Sequence, residues 1–305
     1  METNVLAEFT AYLHDHDRAI LTINGYVADV RLFARWFEQT NHESFATQAV
    51  TPTDVREYRQ YLLNVKRQKA STINRKLAAL STFMAWAKVA GHIEHDPTTN
   101  VRFVEEAPRG PRYLDKKEQY ALQRAVERDL QYSQMHYPRR WLSRRRDASL
   151  VVTFLHTGLR VSEVIGLQMR DVKLSERKGQ LTVQGKGTKQ RTVPLNAEAR
   201  QALQAWLDVR PKSEDDHVFV SIETSDGLSA RSAQRILNRY GRAAGIESLT
   251  PHVLRHSFAK NLVDNEVGLE KVAALLGHSN LNTTRIYVTP SEQDLERAVE
   301  TIEAW

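Results

Sequence analysis

The chain has 305 residues, of which 41% are hydrophobic and 26% charged, with a net charge of +6 and no cysteine. That length suits two folding units, and the composition is globular, not disordered. The lack of cysteine excludes disulfides, thiolate metal sites and cysteine nucleophiles. The positive excess favours polyanionic partners, while the opening residues lack a signal-peptide pattern and no apolar run reaches the roughly 20 residues that span a bilayer. A cytoplasmic protein with no membrane partner is expected.

The first hundred positions read as helices. Tyr26, Val27, Val30, Phe33, Trp36 and Phe37 recur at three- and four-residue steps, the period of a helix with one buried face. Thr51-Pro52-Thr53-Asp54 opens another helix, continued by Val55, Tyr58, Tyr61 and Leu62. A further helix starts near Ser71-Thr72, runs through Ile73, Leu77, Leu80, Phe83, Met84 and Trp86, and stops before Gly91. Lys66, Arg67 and Lys69, followed by Asn74, Arg75 and Lys76 on its expected outer face, form either a solvated basic surface or a phosphate-facing one.

Prolines and a glycine between Val104 and Arg112 mark a boundary. The expected division is a helical domain over 1–106, a linker over 107–113 and a second domain over 114–305, where Asp115 and Glu118 read as a capping box. Arg139, Arg140, Arg144, Arg145 and Arg146 form a basic run suited to backbone phosphates if it is exposed. Residues 180–184 and 191–195 read as a hairpin around a glycine-containing turn, with 218–221 a candidate third strand. Helices are expected over 148–156, 162–169, 197–209, 229–244, 251–265, 269–276 and 291–303, giving an α+β layout with a small antiparallel sheet.

The chemistry concentrates in four places. In Thr250-Pro251-His252-Val253-Leu254-Arg255-His256, Thr250 suits an N-cap and Pro251 the first helical position. His252 and Arg255 then share a face where they could meet one anion, or form an ordinary surface pair. Arg160 follows Gly158 and precedes Glu163, either as an ion pair or as an anion ligand. His278 follows Gly277 at a helix end, as a cap or as a ligand. Tyr287 lies nine residues further on, as a packing aromatic or as a nucleophile. No phosphate-binding Gly-rich loop and no metal-ligand spacing occurs, so neither metal nor cofactor is expected.

In chain order these motifs read Thr-Gly-Leu-Arg-x-Ser-Glu, Gly-Lys-Gly-x-Lys-x-Arg-x-Val-Pro-Leu, His-x-Leu-Arg-His, Leu-Leu-Gly-His and Thr-Thr-x-x-Tyr. The set resembles the tyrosine recombinase (phage integrase) family, nearest in layout to its Xer-type bacterial members. Residues Ser71 to Leu77 resemble that family's core-binding helix, and the likeness spans essentially the whole chain. One departure is Val288-Thr289-Pro290 after the tyrosine, where many members have a histidine two residues on.

The resemblance implies an N-terminal all-α, SAM-like core-binding domain and an α+β catalytic domain. It implies that Arg160 and Arg255 clamp a scissile phosphate, Lys186 protonates the leaving 5′ oxygen, His252 assists proton transfer, His278 hydrogen-bonds the phosphate and Tyr287 attacks it. Lys189 is the alternative to Lys186, and Glu163 orients Arg160. The implied partners are double-stranded recombination sites and a homotetramer in the synaptic complex, alone or with a second recombinase. The helix over 291–303 would be donated to a neighbouring protomer or fold onto its own core. The other readings are a topoisomerase-like relaxing enzyme and a catalytically silent DNA-binding protein, against which the complete set of site residues argues.

Overall fold

Apolar residues at helical spacing dominate the first hundred positions, and in the computed structural model they form helices α1 (Thr3–Asp15), α2 (Ile20–Asn41), α3 (Pro52–Gln60) and α4 (Ala70–Val89). The structure describes residues 3–106, 110–185, 190–278, 280–288 and 299. The chain divides into two units, Met1–Pro108 and Arg109–Trp305.

In the first unit Phe9, Val30, Phe33, Phe37, Tyr58, Ile73, Leu80 and Phe83 fill one core. The helix opens at Thr51–Asp54 as the sequence suggests, with Thr51 capping α3 reciprocally with Asp54, and α3 then widens into a π turn over Tyr61–Val65. Lys66, Arg67 and Lys69 are exposed in the connection to α4.

The expected outer basic face of α4 does not form as a set. Arg75 grips the buried Asp29 of α2 with both terminal nitrogens. Asn74 donates to Val104 O at 2.9 Å and accepts from Val104 N at 2.8 Å, tying down the residues after α4. Lys76 is only 8% exposed, and burial pushes its ammonium below the usual lysine range. Lys76 is therefore an interior residue, and Asn74 and Arg75 are engaged within their own unit.

The second unit begins with α5 (Lys116–His136), capped by Asp115 and Glu118, and α6 (Pro138–Thr157). The helix expected over 148–156 thus starts ten residues earlier, at Pro138, and takes in the basic run. Arg139 and Arg140 are exposed. Arg144 lies 3.5 Å from Asp129, and Arg145 stacks over Trp141. Arg146 is buried; it donates to Asp147 at 2.7 Å and to Val220 O at 2.9 Å. The phosphate-facing expectation is corrected for Arg146, whose charge is spent inside the fold.

Beyond α6 come the short α7 (Val161–Ile165) and strands β1 (Val172–Leu174), β2 (Gly179–Gln184) and β3 (Gln190–Pro194). The sheet is antiparallel in the order β1-β2-β3, and the expected hairpin pairs Gln184 with Gln190. Its third strand is β1, not 218–221. There Val218 N bonds Leu167 O at 2.8 Å, Leu228 N bonds Phe219 O at 2.9 Å, and Trp206 Nε1 takes Val218 O at 2.8 Å. Loop and side-chain partners thus satisfy that backbone without a ladder.

The remaining helices are α8 (Ala197–Leu207), α9 (Ala230–Ala244), α10 (Pro251–Asp264), α11 (Leu269–Leu276) and α12 (Asn282–Arg285). The helix expected over 162–169 stops at Ile165, and a 3₁₀ turn follows at Met169–Asp171. Leu150, Phe154, Leu203, Trp206, Phe219, Leu237 and Leu254 centre the core. The helix expected over 291–303 lies, but for residue 299, outside the described residues, and no described helix is long and apolar enough to cross a membrane.

Asp147, 1% exposed, also accepts from Arg239 at 2.7 Å. Removing one partner of a buried charge network leaves the other uncompensated. Asp147→Ala should therefore lower the unfolding free energy of the second unit by about 3–5 kcal/mol. The measurement is urea denaturation; a loss below about 1 kcal/mol would mean that Arg146 finds another partner.

Candidate active site

Three helix ends and one strand meet at a cleft of about 1090 Å³. Among its lining residues are Arg160, Glu163, Arg191, His252, Arg255, His256, His278 and Tyr287. Each is positioned by local sequence.

Thr250 caps α10 by accepting from Val253 N at 3.2 Å, and Pro251 takes the first helical position. This start places His252 at the surface and turns Arg255 inward, where it is 4% exposed. The Arg255 guanidinium donates to Gly158 O at 2.7 Å and Leu276 O at 2.8 Å, and lies 2.9 Å from His278 Nε2. Gly158 and Gly277 end α6 and α11 in the left-handed region, at φ 61° and 67°. Burial, with Arg160 nearby, brings the guanidinium down to about 10.

Arg160 stands at the N-cap of α7 and is held by Glu163, which accepts from Arg160 N at 2.8 Å and Nη1 at 3.1 Å. Arg160 Nη2 also reaches Gly277 O at 3.3 Å. Glu163 further accepts a two-pronged bond from Arg191 of β3, at 2.7 and 2.9 Å. Burial alone would raise the Glu163 carboxyl, but the bonds from Arg191 and Arg160 hold it below the usual carboxylate range. Arg191 Nε donates to Leu275 O at 3.1 Å, so one side chain ties β3 to α7 and to the end of α11.

His278 lies between Arg255 and Thr284, with Nδ1 2.9 Å from Thr284 Oγ1. Because Arg255 can only donate, His278 Nε2 accepts and Nδ1–H donates to the threonine. Burial and then Arg255 lower this imidazole to about 4, so it is neutral. Tyr287 is 3% exposed against Ala259, Val272 and Leu276. Its hydroxyl lies 2.7 Å from His256 Nδ1. Burial raises the phenol above its ordinary value despite the opposing pull of Arg255.

The structure thus brings Arg160, Glu163, His252, Arg255, His278 and Tyr287 to one cleft. Lys186 and Lys189 lie outside the described residues, while Gln184, Gly185 and Gln190 beside that segment line the cleft. Sequence reasoning left His256, Arg191 and Thr284 without a role. A signal for His256 was present: it stands four residues after His252, on the same helix face, with ring centroids 6.4 Å apart. For Arg191 the strand alternation gives a side but no partner.

Residues 112–294 match the phage integrase family, and residues 6–91 match the phage integrase N-terminal SAM-like domain. Tyrosine recombinase XerC of Pseudomonas fluorescens is 32% identical over 271 residues, covering 87% of this chain and 84% of that one. XerC of Xanthomonas axonopodis pv. citri (strain 306) is 30% identical over 302 residues, covering 96% and 94%. In fold, the chain is similar to the XerH site-specific recombinase in a post-cleavage complex with a palindromic difH substrate. The TM-score is 0.76 at 23% identity, over 93% of this chain and 80% of that one. The chain belongs to the phage integrase family, as a Xer-like tyrosine recombinase.

The two lowered histidines make stability depend on pH. Burial holds His256 and His278 at about 4 in the folded chain, against an ordinary 6.5. As pH falls the unfolded chain takes up these protons first, so the contribution is complete above about 6.5 and declines as pH drops towards 4. His278→Gln should flatten that decline in urea midpoints taken across the range. Equal slopes for the two proteins would contradict the assignment.

Proposed function

We propose that this site-specific recombinase cleaves and rejoins double-stranded recombination sites through a 3′-phosphotyrosyl intermediate formed on Tyr287. The observation that carries the reading is the convergence of two arginines, two histidines and a tyrosine hydroxyl on one cleft. Attack on a phosphodiester concentrates negative charge on the non-bridging oxygens, which guanidiniums neutralise with directed hydrogen bonds. Arg160 and Arg255 take that role. Some N–H groups of Arg255 have no partner among the described residues and are available to an anion.

In this reading the arriving phosphate takes over the Arg255 N–H that His278 Nε2 accepts in the free protein, and His278 changes tautomer so that Nε2–H donates to the phosphate. His252 assists proton transfer, and Lys186 protonates the leaving 5′ oxygen. Glu163 holds Arg160 in place. The phosphotyrosyl bond keeps the energy of the broken diester, so a 5′-hydroxyl of either strand reverses the step without nucleotide hydrolysis. The enzyme acts in the cytoplasm, as a homotetramer on paired sites, in resolution or integration of a mobile element, plasmid or chromosome dimer. Exposed Lys66, Arg67, Lys69, Arg139 and Arg140 contribute backbone contacts that position DNA without reading its sequence. Asn74, Arg75, Arg144 and Arg145, already engaged within the protein, contribute less.

Tyr287→Phe removes only the attacking oxygen. The variant should bind a duplex selected from a randomised pool as tightly as the parent and yield no covalent adduct on a denaturing gel. An undiminished adduct would refute Tyr287 as the nucleophile.

A further inference from the structure

The side chain of Tyr287 is buried in a cluster with Ala259, Val272 and Leu276, and the hydrogen-bond partner of its hydroxyl among the described residues is His256 Nδ1, at 2.7 Å. His252, on the same face of α10, is exposed with its ring centroid 6.4 Å from that of His256, and is thus free to serve the phosphate. We propose that His256 is a catalytic residue: its Nδ1 takes the proton of Tyr287 Oη as that oxygen attacks, and returns it on rejoining. The proposal rests on the phosphotyrosyl reading above.

The step balances. The Tyr287 O–H bond breaks and its proton passes to His256 Nδ1, while the Oη–P bond forms and the P–O5′ bond breaks. The leaving oxygen takes a proton from Lys186, the proposed acid. In rejoining, the 5′-hydroxyl attacks, Lys186 recovers a proton, and the imidazolium of His256 reprotonates the departing phenol. For this the resting imidazole must carry its proton on Nε2 and leave the Nδ1 lone pair to the phenol O–H.

The surroundings keep this pair inactive until DNA arrives. Burial, then His252 and Arg255, lower His256 to about 4, while burial raises Tyr287. His278, also lowered, lies 2.9 Å from Arg255 and adds no positive charge at neutral pH. Transfer in the free protein is therefore strongly uphill. A phosphodiester seated between Arg160 and Arg255 offsets the cations that depress the imidazole, and formation of the Oη–P bond acidifies the phenol. Deprotonation is thereby confined to the bound substrate.

The test uses the full chain and a nicked duplex selected from a randomised pool with the Tyr287→Phe protein. His256→Gln keeps an acceptor for the phenol but cannot take its proton. It should bind that duplex normally and cleave about 100-fold more slowly in a single turnover. The same duplex with a 5′-bridging sulfur, a leaving group that needs no acid, should not restore its rate. Cleavage by His256→Gln within about twofold of the parent, or rescue by the sulfur, would overturn the proposal while leaving Tyr287 as nucleophile. Absence of any adduct from the parent chain would instead defeat the underlying reading, and the proposal with it. Should the variant fail to fold, ¹⁵N-histidine spectra of the parent decide: Nδ1 of His256 unprotonated is expected, and a proton on Nδ1 would overturn the proposal.

Discussion

The geometry of the second unit depends on a buried arginine that has no carboxylate partner among the described residues. Arg255 commits one N–H of each terminal nitrogen to Gly158 O and Leu276 O, carbonyls at the ends of α6 and α11. Helix C-termini leave such carbonyls unpaired and carry partial negative charge, so they stabilise a cation without neutralising it. A carboxylate in their place would quench the charge that an anion needs. Glu163, the carboxylate whose charge acts on Arg255, is committed to Arg160 and Arg191. Among the described residues three guanidiniums thus face one carboxylate at the cleft, an excess of two positive charges. That excess matches the two negative charges reached when an oxyanion adds to a phosphodiester.

The frame admits little substitution where helix ends approach it. A Cβ on Gly277 would stand 2.7 Å from the Arg191 guanidinium, and its φ of 67° already favours glycine. Arg191 packs onto this bare backbone and holds β3 against α11. The hairpin is in this way registered to the end of α11, from which His278 projects.

How far the sequence revealed this arrangement depended on how local each cause was. Thr250 with Pro251, Asp115 with Glu118, and Gly277 each act within a few residues, and α10, α5 and α11 begin or end where those signals lie. The pairing of Gln184 with Gln190 follows from two short β-prone runs around a glycine turn. Burial of charge was not legible. Lys76 reads as a surface cation because Asp29, the carboxylate that acts on it, is remote in sequence. Arg146 reads as one because its ion pair with the adjacent Asp147 looks like a surface pair until Val220 O and Arg239 close over it. Strand β1 was missed because three residues are too few for alternation to register, while 218–221 carries strand-like residues whose backbone is claimed by Leu167, Trp206 and Leu228. The site residues were found through their motif order, which says which side chains meet but not which of them touch. His256 shows the difference: it was in plain view beside Arg255, and only the folded position of Tyr287 gives it a partner.

That position is set by the same side chains that face the cleft. Between Gly277 and Val288 the described residues form one helix, the four-residue α12, whose buried residue is Thr284. Thr284 bonds His278, His278 bonds Arg255, and Tyr287 closes the path through His256 back to α10. A short helix with one buried residue has little stability of its own. Tyr287 is therefore placed chiefly by hydrogen bonds that lead back to the cationic frame and by the small apolar cluster of Ala259, Val272 and Leu276. Because Arg255 and His278 hold that segment and also line the cleft, any anion that redirects their hydrogen bonds acts on the placement of Tyr287 as well as on its chemistry.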